Sequence, residues 1–392
     1  MKFLLVISVL FAAVQPPTYS DQIAAILDEH CAPCHRANAI GPFTLTDYES
    51  ARKRAPQLAY VAQRRLMPPW KAEPCDVAFE GERRLTREQI RLIDDWAAAG
   101  APEGDPRRRP KPPSFSQGWA LGQPDEIVQL PREHAIPAEG RDLFYTFAIP
   151  LRADKERYVS AIQVMPSNPR VLHHVLVYAN KQNLPSGKAL APHDPDSFLF
   201  IWSPGHPTVK LPEGIYKRIP AGSGLLVQAH YHATGREERD RLRIGLYYAG
   251  QPKDEVEMVE IAPKLPTIPA NESRFLIQET VKIDKDRTLL GIVPHARLLC
   301  VEVRLTLRLP TGETKSLLII RDWDFNWQDR YVLKEPLTLP KGSQLTARFI
   351  YDNSSANPRN PIAPPRPIAA GQGLEDETAL IWLETLPAKT VQ

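Results

Sequence analysis

The sequence predicts a multidomain chain, a small all-α domain followed by two all-β sandwich domains. Three observations predict this. Apolar residues recur at helical spacing only as far as Gly100, and beyond residue 118 the period changes to that of strands. The 392 residues include 40 prolines, which break helix interiors and central strands and so weigh against a mainly helical protein. At about 100 to 200 residues per domain, the length suggests two to four domains.

Residues 1–20, MKFLLVISVLFAAVQPPTYS, place Lys2 before an apolar run from Phe3 to Val14. The run is shorter than the roughly 20 residues that span a bilayer, and its flanks read as a secretory signal peptide. The mature chain is then expected to lack a transmembrane segment and to be periplasmic or secreted, where paired cysteines are normally disulfides. There are four cysteines, Cys31, Cys34, Cys75 and Cys300, and a bridge between the last two is left open. The net charge of +3, from 49 basic and 46 acidic residues, is too balanced for a nucleic-acid protein. Two basic runs, at 52–54 and 107–109, read as solvated surface.

Residues 21–104 are expected to be helical. Ile23, Ile26 and Leu27 share a helix face just before Cys31. Thr46 with Glu49, and Thr86 with Gln89, fit the capping box, in which a hydroxyl and a carboxylate or amide satisfy free backbone N–H groups. Ile90, Ile93 and Trp96 line the last helix, which Gly100 stops. Residues 105–117, dense in proline and arginine, form a semi-rigid linker. Strands follow: VLHHVLVYA, GLLVQAHYHA, RIGLYYA, the alternating run from Val301 to Leu309, SLLIIRDWDF and LTARFIYDN. Without helices between them they suggest two antiparallel sandwiches, over 118–264 and 265–392, joined near Pro263 to Pro269.

Within the helical part lies Cys31-Ala-Pro-Cys34-His35. A zinc site needs a second pair of ligands, and none follows. A redox dithiol needs its motif at the start of a helix in a βαβ unit, and the surroundings are all helical. Covalent haem c remains: two thioethers from Cys31 and Cys34, with His35 as axial ligand, which makes the helical part a cytochrome c domain. Met67, set between Leu66 and two prolines, is the candidate for the sixth ligand, and a thioether there suits an electron carrier.

Five of the ten histidines fall in three strand-like stretches: His173 with His174, His230 with His232, and His295. His230 and His232, two apart, share a strand face, whereas His173 and His174 can meet one ion only across a bulge. Imidazoles without thiolates in an oxidising compartment suit copper, with zinc second.

Residues 118–385 resemble the copper type II, ascorbate-dependent monooxygenases, whose relatives include peptidylglycine α-hydroxylating and dopamine β-monooxygenases. The resemblance lies in VLHHVLVYA, LLVQAHYHATG, GIVPHARLLC, WDFNWQDRY and YDNSSANPRNP, in that order. With the N-terminal haem motif, the whole chain is similar to bacterial proteins that fuse the two modules. The resemblance implies two jelly rolls with one copper each across a solvent-filled gap. It implies a first, electron-storing copper on His173, His174 and His230. For the oxygen-activating second copper it matches His295, but the next ligand position holds Arg297 and the methionine position holds Thr378. Arginine cannot ligate, and a threonine hydroxyl is a poor copper ligand. His206 and Cys300 are the other residues that could complete such a site.

The expectation is therefore an exported redox protein that passes electrons between haem c and a three-histidine copper, served by a redox partner protein or a small-molecule reductant. Two other readings stand beside it. One is an active copper monooxygenase with haem as its electron donor. The other is an interaction module that docks the cytochrome to a partner.

Overall fold

A computed structural model describes residues 15–37, 39–115, 118–140, 143–151, 154–187, 194–205, 208–371 and 375–388. The expected signal peptide lies outside these residues over positions 1–14, as does His206. Two compact units divide the chain. The first holds residues up to Pro69 together with Arg83–Phe115, and the second holds Trp70–Glu82 and everything from Ser116 onward.

The first unit carries four short α-helices: α1 (Ala24–His30), α2 (Tyr48–Arg52), α3 (Ala55–Gln63) and α4 (Arg87–Ala98). Its core gathers Ile23, Leu27, Leu45, Leu58, Ile93 and Trp96. The expected capping box at Thr86 and Gln89 is formed, and the helix it starts ends before Gly100, whose φ of +83° a side-chain-bearing residue adopts only with strain. The box expected at Thr46 is displaced by one residue. Asp47 caps α2 instead, its carboxylate accepting from the Ser50 N–H at 2.9 Å. The basic run at 107–109 is not all solvated surface, because Arg109 donates to the Thr46 carbonyl at 2.9 Å and lies over the Tyr19 ring.

The second unit begins with β1 (Glu126–Gln129), β2 (His134–Ile136), β3 (Leu143–Ile149), β4 (Arg157–Met165), β5 (Leu172–Asn180) and β6 (Phe198–Trp202). It continues with β7 (Ile215–Ile219), β8 (Gly224–Tyr231), β9 (Glu238–Asp240), β10 (Arg243–Tyr248), β11 (Asp254–Glu255) and β12 (Glu257–Ile261). Then come β13 (Phe275–Lys282), β14 (Arg287–Ala296), β15 (Cys300–Arg308), β16 (Thr314–Ile320), β17 (Tyr331–Leu339), β18 (Gln344–Tyr351) and β19 (Ala379–Pro387). Every stretch read as a strand contributes one.

These strands build four large sheets, in the orders β1-β10-β4-β7-β11, β3-β8-β5-β6, β12-β19-β14-β17 and β13-β18-β15-β16, besides the small pair β2-β9. One apolar core lies between the first two sheets and another between the last two. A third layer, of Leu176, Tyr178, Phe198, Ile201 and Leu226 against Val293, Leu380 and Trp382, packs the second sheet on the third.

The predicted fold class is corrected on two counts. Among the described residues, 37% are strand and 13% helix, and no separate all-α cytochrome c domain stands at their start. Residues 70–82 leave the helical stretch for the β unit: the Glu73 backbone N–H donates to the Ile319 carbonyl, that of Glu80 to the Val332 carbonyl, and Phe79 bridges Leu333. Nor are there two jelly rolls facing across a gap. The four large sheets follow one another like four blades, because the two inner ones are apolar on both faces. β12, which precedes the expected boundary at 264/265, pairs with β19.

Candidate functional site

The cysteine motif sits where α1 runs out. Cys31 caps the helix, its N–H donating to the Leu27 carbonyl at 2.9 Å. The N–H groups of Cys34 and His35 both turn back to the Cys31 carbonyl, at 3.1 and 2.8 Å, so the two thiols share one tight turn. Both are free thiols. Burial, helped by its neighbour Cys34, pushes the Cys31 thiol up to about 12, and Cys34 is raised by burial against the pull of Arg83 and Arg36.

The His35 ring lies 4.6 Å from that of Phe43, and its Nδ1 is 3.1 Å from the Phe43 carbonyl. A carbonyl only accepts, so Nδ1 carries the proton and Nε2 the lone pair, the tautomer that would be needed if His35 held an iron. Burial lowers the imidazole pKa and keeps it neutral. Two thiols in one turn beside an oriented neutral imidazole fit covalent haem. Met67 follows α3 and is 37% exposed, so it is not a core methionine.

Gly41 holds this turn closed. A Cβ there would sit 2.7 Å from both His35 Nδ1 and the Cys34 carbonyl oxygen. Gly41→Ala is expected to cost about 1–3 kcal/mol, the usual range for overpacking, with a matching drop in the denaturant midpoint. An unchanged midpoint would mean that the loop from 36 to 43 yields.

In the β unit, the strand pair β5–β8 carries the histidines. Leu172 pairs with Tyr231 and His174 with His230, leaving His173 as the extra residue of a bulge. This is the irregularity that adjacent histidines need if they are to approach one ion. The ring centroids of His174 and His173 lie 4.7 and 4.9 Å from that of His230, and His173 packs on His232 at 4.1 Å. The Nδ1 atoms of His174 and His230 are 3.3 Å apart. Bonds of about 2.0 Å at a tetrahedral angle set two ligand nitrogens about 3.3 Å apart, so this pair fits a shared metal ion.

Among the described residues, no three histidine, cysteine or acidic side chains already stand arranged to close on one ion. The cluster supplies two nitrogens at ligand spacing with further imidazoles around them. Both His174 and His230 are buried. Burial, then the neighbouring His230, His173 and His295, hold the His174 pKa well below its ordinary value, which preserves the lone pair a metal needs. Phe144 stacks on His230 at 4.2 Å and Phe325 lies 5.5 Å from the same ring, so aromatic surface covers the pair. Sequence reasoning missed both phenylalanines. The partner of His230 across β3 is Phe144, a pairing that only the register discloses.

The second copper position does not fit. Arg297 is buried and is attracted by Glu377 and Asp376, while both Glu377 oxygens accept backbone N–H groups, from Arg297 at 3.2 Å and Leu299 at 2.7 Å. Burial, only partly offset by these bonds and the Arg297 charge, raises Glu377 to about 8. The Thr378 carbonyl is taken by the Tyr351 hydroxyl at 2.7 Å. The bridge left open between Cys75 and Cys300 is not made: Cys75 Sγ meets the Val77 and Leu317 carbonyls, and Cys300 Sγ that of Glu302.

No known family model and no curated protein matches the chain. Among solved structures, PNGase F, a glycosylasparaginase from Flavobacterium meningosepticum, is similar over 68% of this chain and 97% of that one, at 10% identity and a TM-score of 0.29. A223, a turret protein of Sulfolobus turreted icosahedral virus, is similar over 66% of this chain and 98% of that one, at 8% identity and a TM-score of 0.16. At these TM-scores neither likeness carries an argument. Among the described residues, no helix is long and apolar enough to cross a membrane.

Proposed function

We propose that the chain is an exported redox protein of the copper type II monooxygenase kind, binding haem c at Cys31, Cys34, His35 and Met67 and copper at His173, His174 and His230, and passing electrons between the two. The observation that carries this reading is the buried His174–His230 pair, with its nitrogens 3.3 Å apart beside a bulged His173. When bound, haem and copper each supply a one-electron couple. The residues of the chain do the rest: the Phe43 carbonyl orients His35, His174 stays neutral, and Phe144 and Phe325 keep water from the imidazoles. The reductant is a partner protein or a small molecule, and the balanced charge supports no role for nucleic acid.

Hydroxylase chemistry is the second reading, and the Arg297–Glu377 arrangement where its metal would sit speaks against it. His230→Ala is expected to abolish copper binding and leave the haem spectrum unchanged, as read by metal analysis and absorbance. Unchanged copper stoichiometry would overturn the assignment.

A further inference from the structure

Lys217 breaks the pattern of β7. Ile215, Lys217 and Ile219 form the buried row of that strand, while Tyr216 and Arg218 face the other way. A lysine between two isoleucines is costly to bury, and such a departure from the local rule marks a position that serves something besides packing.

What Lys217 meets is the end of the apolar seam between the second and third sheets. Beyond Leu380 and Trp382 the same face of β19 carries Glu384, opposite Gly291 of β14. A Cβ at that glycine would sit 2.7 Å from Glu384 Oε2, so the carboxylate occupies room that a side chain would fill. One of its oxygens accepts from Lys217 Nζ at 2.6 Å and the other from Arg330 Nε at 2.7 Å, and all three side chains are buried. Among the described residues, Glu384 is the one carboxylate that pairs with either cation. The buried cluster therefore carries one positive charge in surplus.

That surplus borders an open cleft of about 450 Å³, within the usual range for small-molecule sites. Lys217 lines it beside Phe198, Val256 and Met258. An ammonium has three N–H groups to donate. Glu384 accepts one and the Phe198 ring lies 4.6 Å from Nζ, so a third can serve an acceptor in the cleft. The rim limits what that acceptor is. Asp196, Glu255 and Glu257 also line the cleft, but Lys181 Nζ stands at the Asp196 carbonyl, Arg218 meets Glu255 at 3.2 Å, and Arg287 holds Glu257 at 2.6 Å. Such a rim is close to neutral in sum, and its carboxylates disfavour a multiply charged ion.

We infer that this cleft binds a small monocarboxylate with an apolar body, its carboxylate taken by the Lys217 ammonium and its hydrocarbon lying along Phe198, Val256 and Met258. The ligand supplies the second negative charge that the two buried cations share too little of, through a charge-assisted hydrogen bond. Neither haem nor copper is needed for it.

The test titrates the full chain, isotope-labelled at its methionine methyl groups, and reads them by NMR. Phenylacetate is expected to shift the Met258 signal saturably and to leave that of Met165, which is outside the cleft, in place. Phenylacetamide, which lacks the charge, and inorganic phosphate, which lacks the body, are expected to shift neither. Lys217→Met keeps the length of the side chain and leaves Arg330 and Glu384 as a balanced pair, and it is expected to weaken phenylacetate binding about tenfold or more, the worth of a hydrogen bond to a charged group. The titrations of the unsubstituted chain stand even if that variant does not fold. No shift with phenylacetate, an equal shift with phenylacetamide or phosphate, or undiminished binding in folded Lys217→Met would each overturn the inference.

Discussion

Replacing Cys31 and Cys34 together by serine is expected to abolish covalent haem attachment, leaving a polypeptide from which acidified acetone removes all haem colour. The two thiols are the only side chains of the motif able to form thioethers, and the next cysteine, Cys75, lies in the β unit with its sulfur against the Leu317 carbonyl. Serine keeps the turn, because the bonds from the Cys34 and His35 N–H groups to the Cys31 carbonyl are made by backbone. The helical unit should therefore still fold around Leu27, Leu58 and Trp96, and the loss would be one of cofactor and not of structure. Haem that stays with the double variant through denaturing electrophoresis would show that attachment lies elsewhere. His35→Ala separates binding from ligation: thioethers should persist while the axial nitrogen is lost, visible as a changed Soret band.

Glu384→Gln is expected to destabilise the β unit by about 3–5 kcal/mol, the range for removing one partner of a buried ion pair. Glu384 is fully buried on the seam face of β19, between Lys217 Nζ at 2.6 Å and the Arg330 guanidinium, also at 2.6 Å. Burial pushes its carboxyl up, but Arg330 and Lys217 outweigh that and hold it at about 2. The folded pKa is thus depressed, so this contribution is fully present above the ordinary carboxyl range and is lost as pH falls toward 2. The amide would leave two cations facing each other, with Lys217 already lowered by burial and resting on the Phe198 ring at 4.6 Å. Urea unfolding monitored at a β-unit tryptophan reads the effect, and a loss below about 1 kcal/mol would mean that water reaches the cations.

Much of the fold was legible because local rules and tertiary packing agree. The helix over Arg87–Ala98 announces itself by its cap and its apolar face, and β15 by strict alternation. The stacking of sheets also leaves a mark in the sequence. In β14 and β19 the residues are buried almost without interruption, whereas β13 alternates, and a continuous apolar run signals a strand covered on both faces. The cysteine motif is contiguous and could be read directly as a motif. The histidine site is not, since it depends on a bulge that displaces His173 and on pairing between strands separated by 56 residues at His174 and His230. The partners of Arg297 were hidden for the same reason. Glu377 stands one position before Thr378, and only the structure shows it receiving the backbone of 297 and 299.

The segment from Trp70 to Glu82 has a consequence for how such a protein can have arisen and how it can be cut. Trp70, Ala72 and Phe79 are buried in the β core, with Trp70 edge-on to Tyr331 at 5.4 Å. The helical unit is thus not a cassette: a gene boundary placed after residue 104 would carry away part of the β unit's interior along with the cysteine motif. A cut at that boundary would leave Tyr331 and Leu333 uncovered, so the chain cannot be divided there without opening the β core.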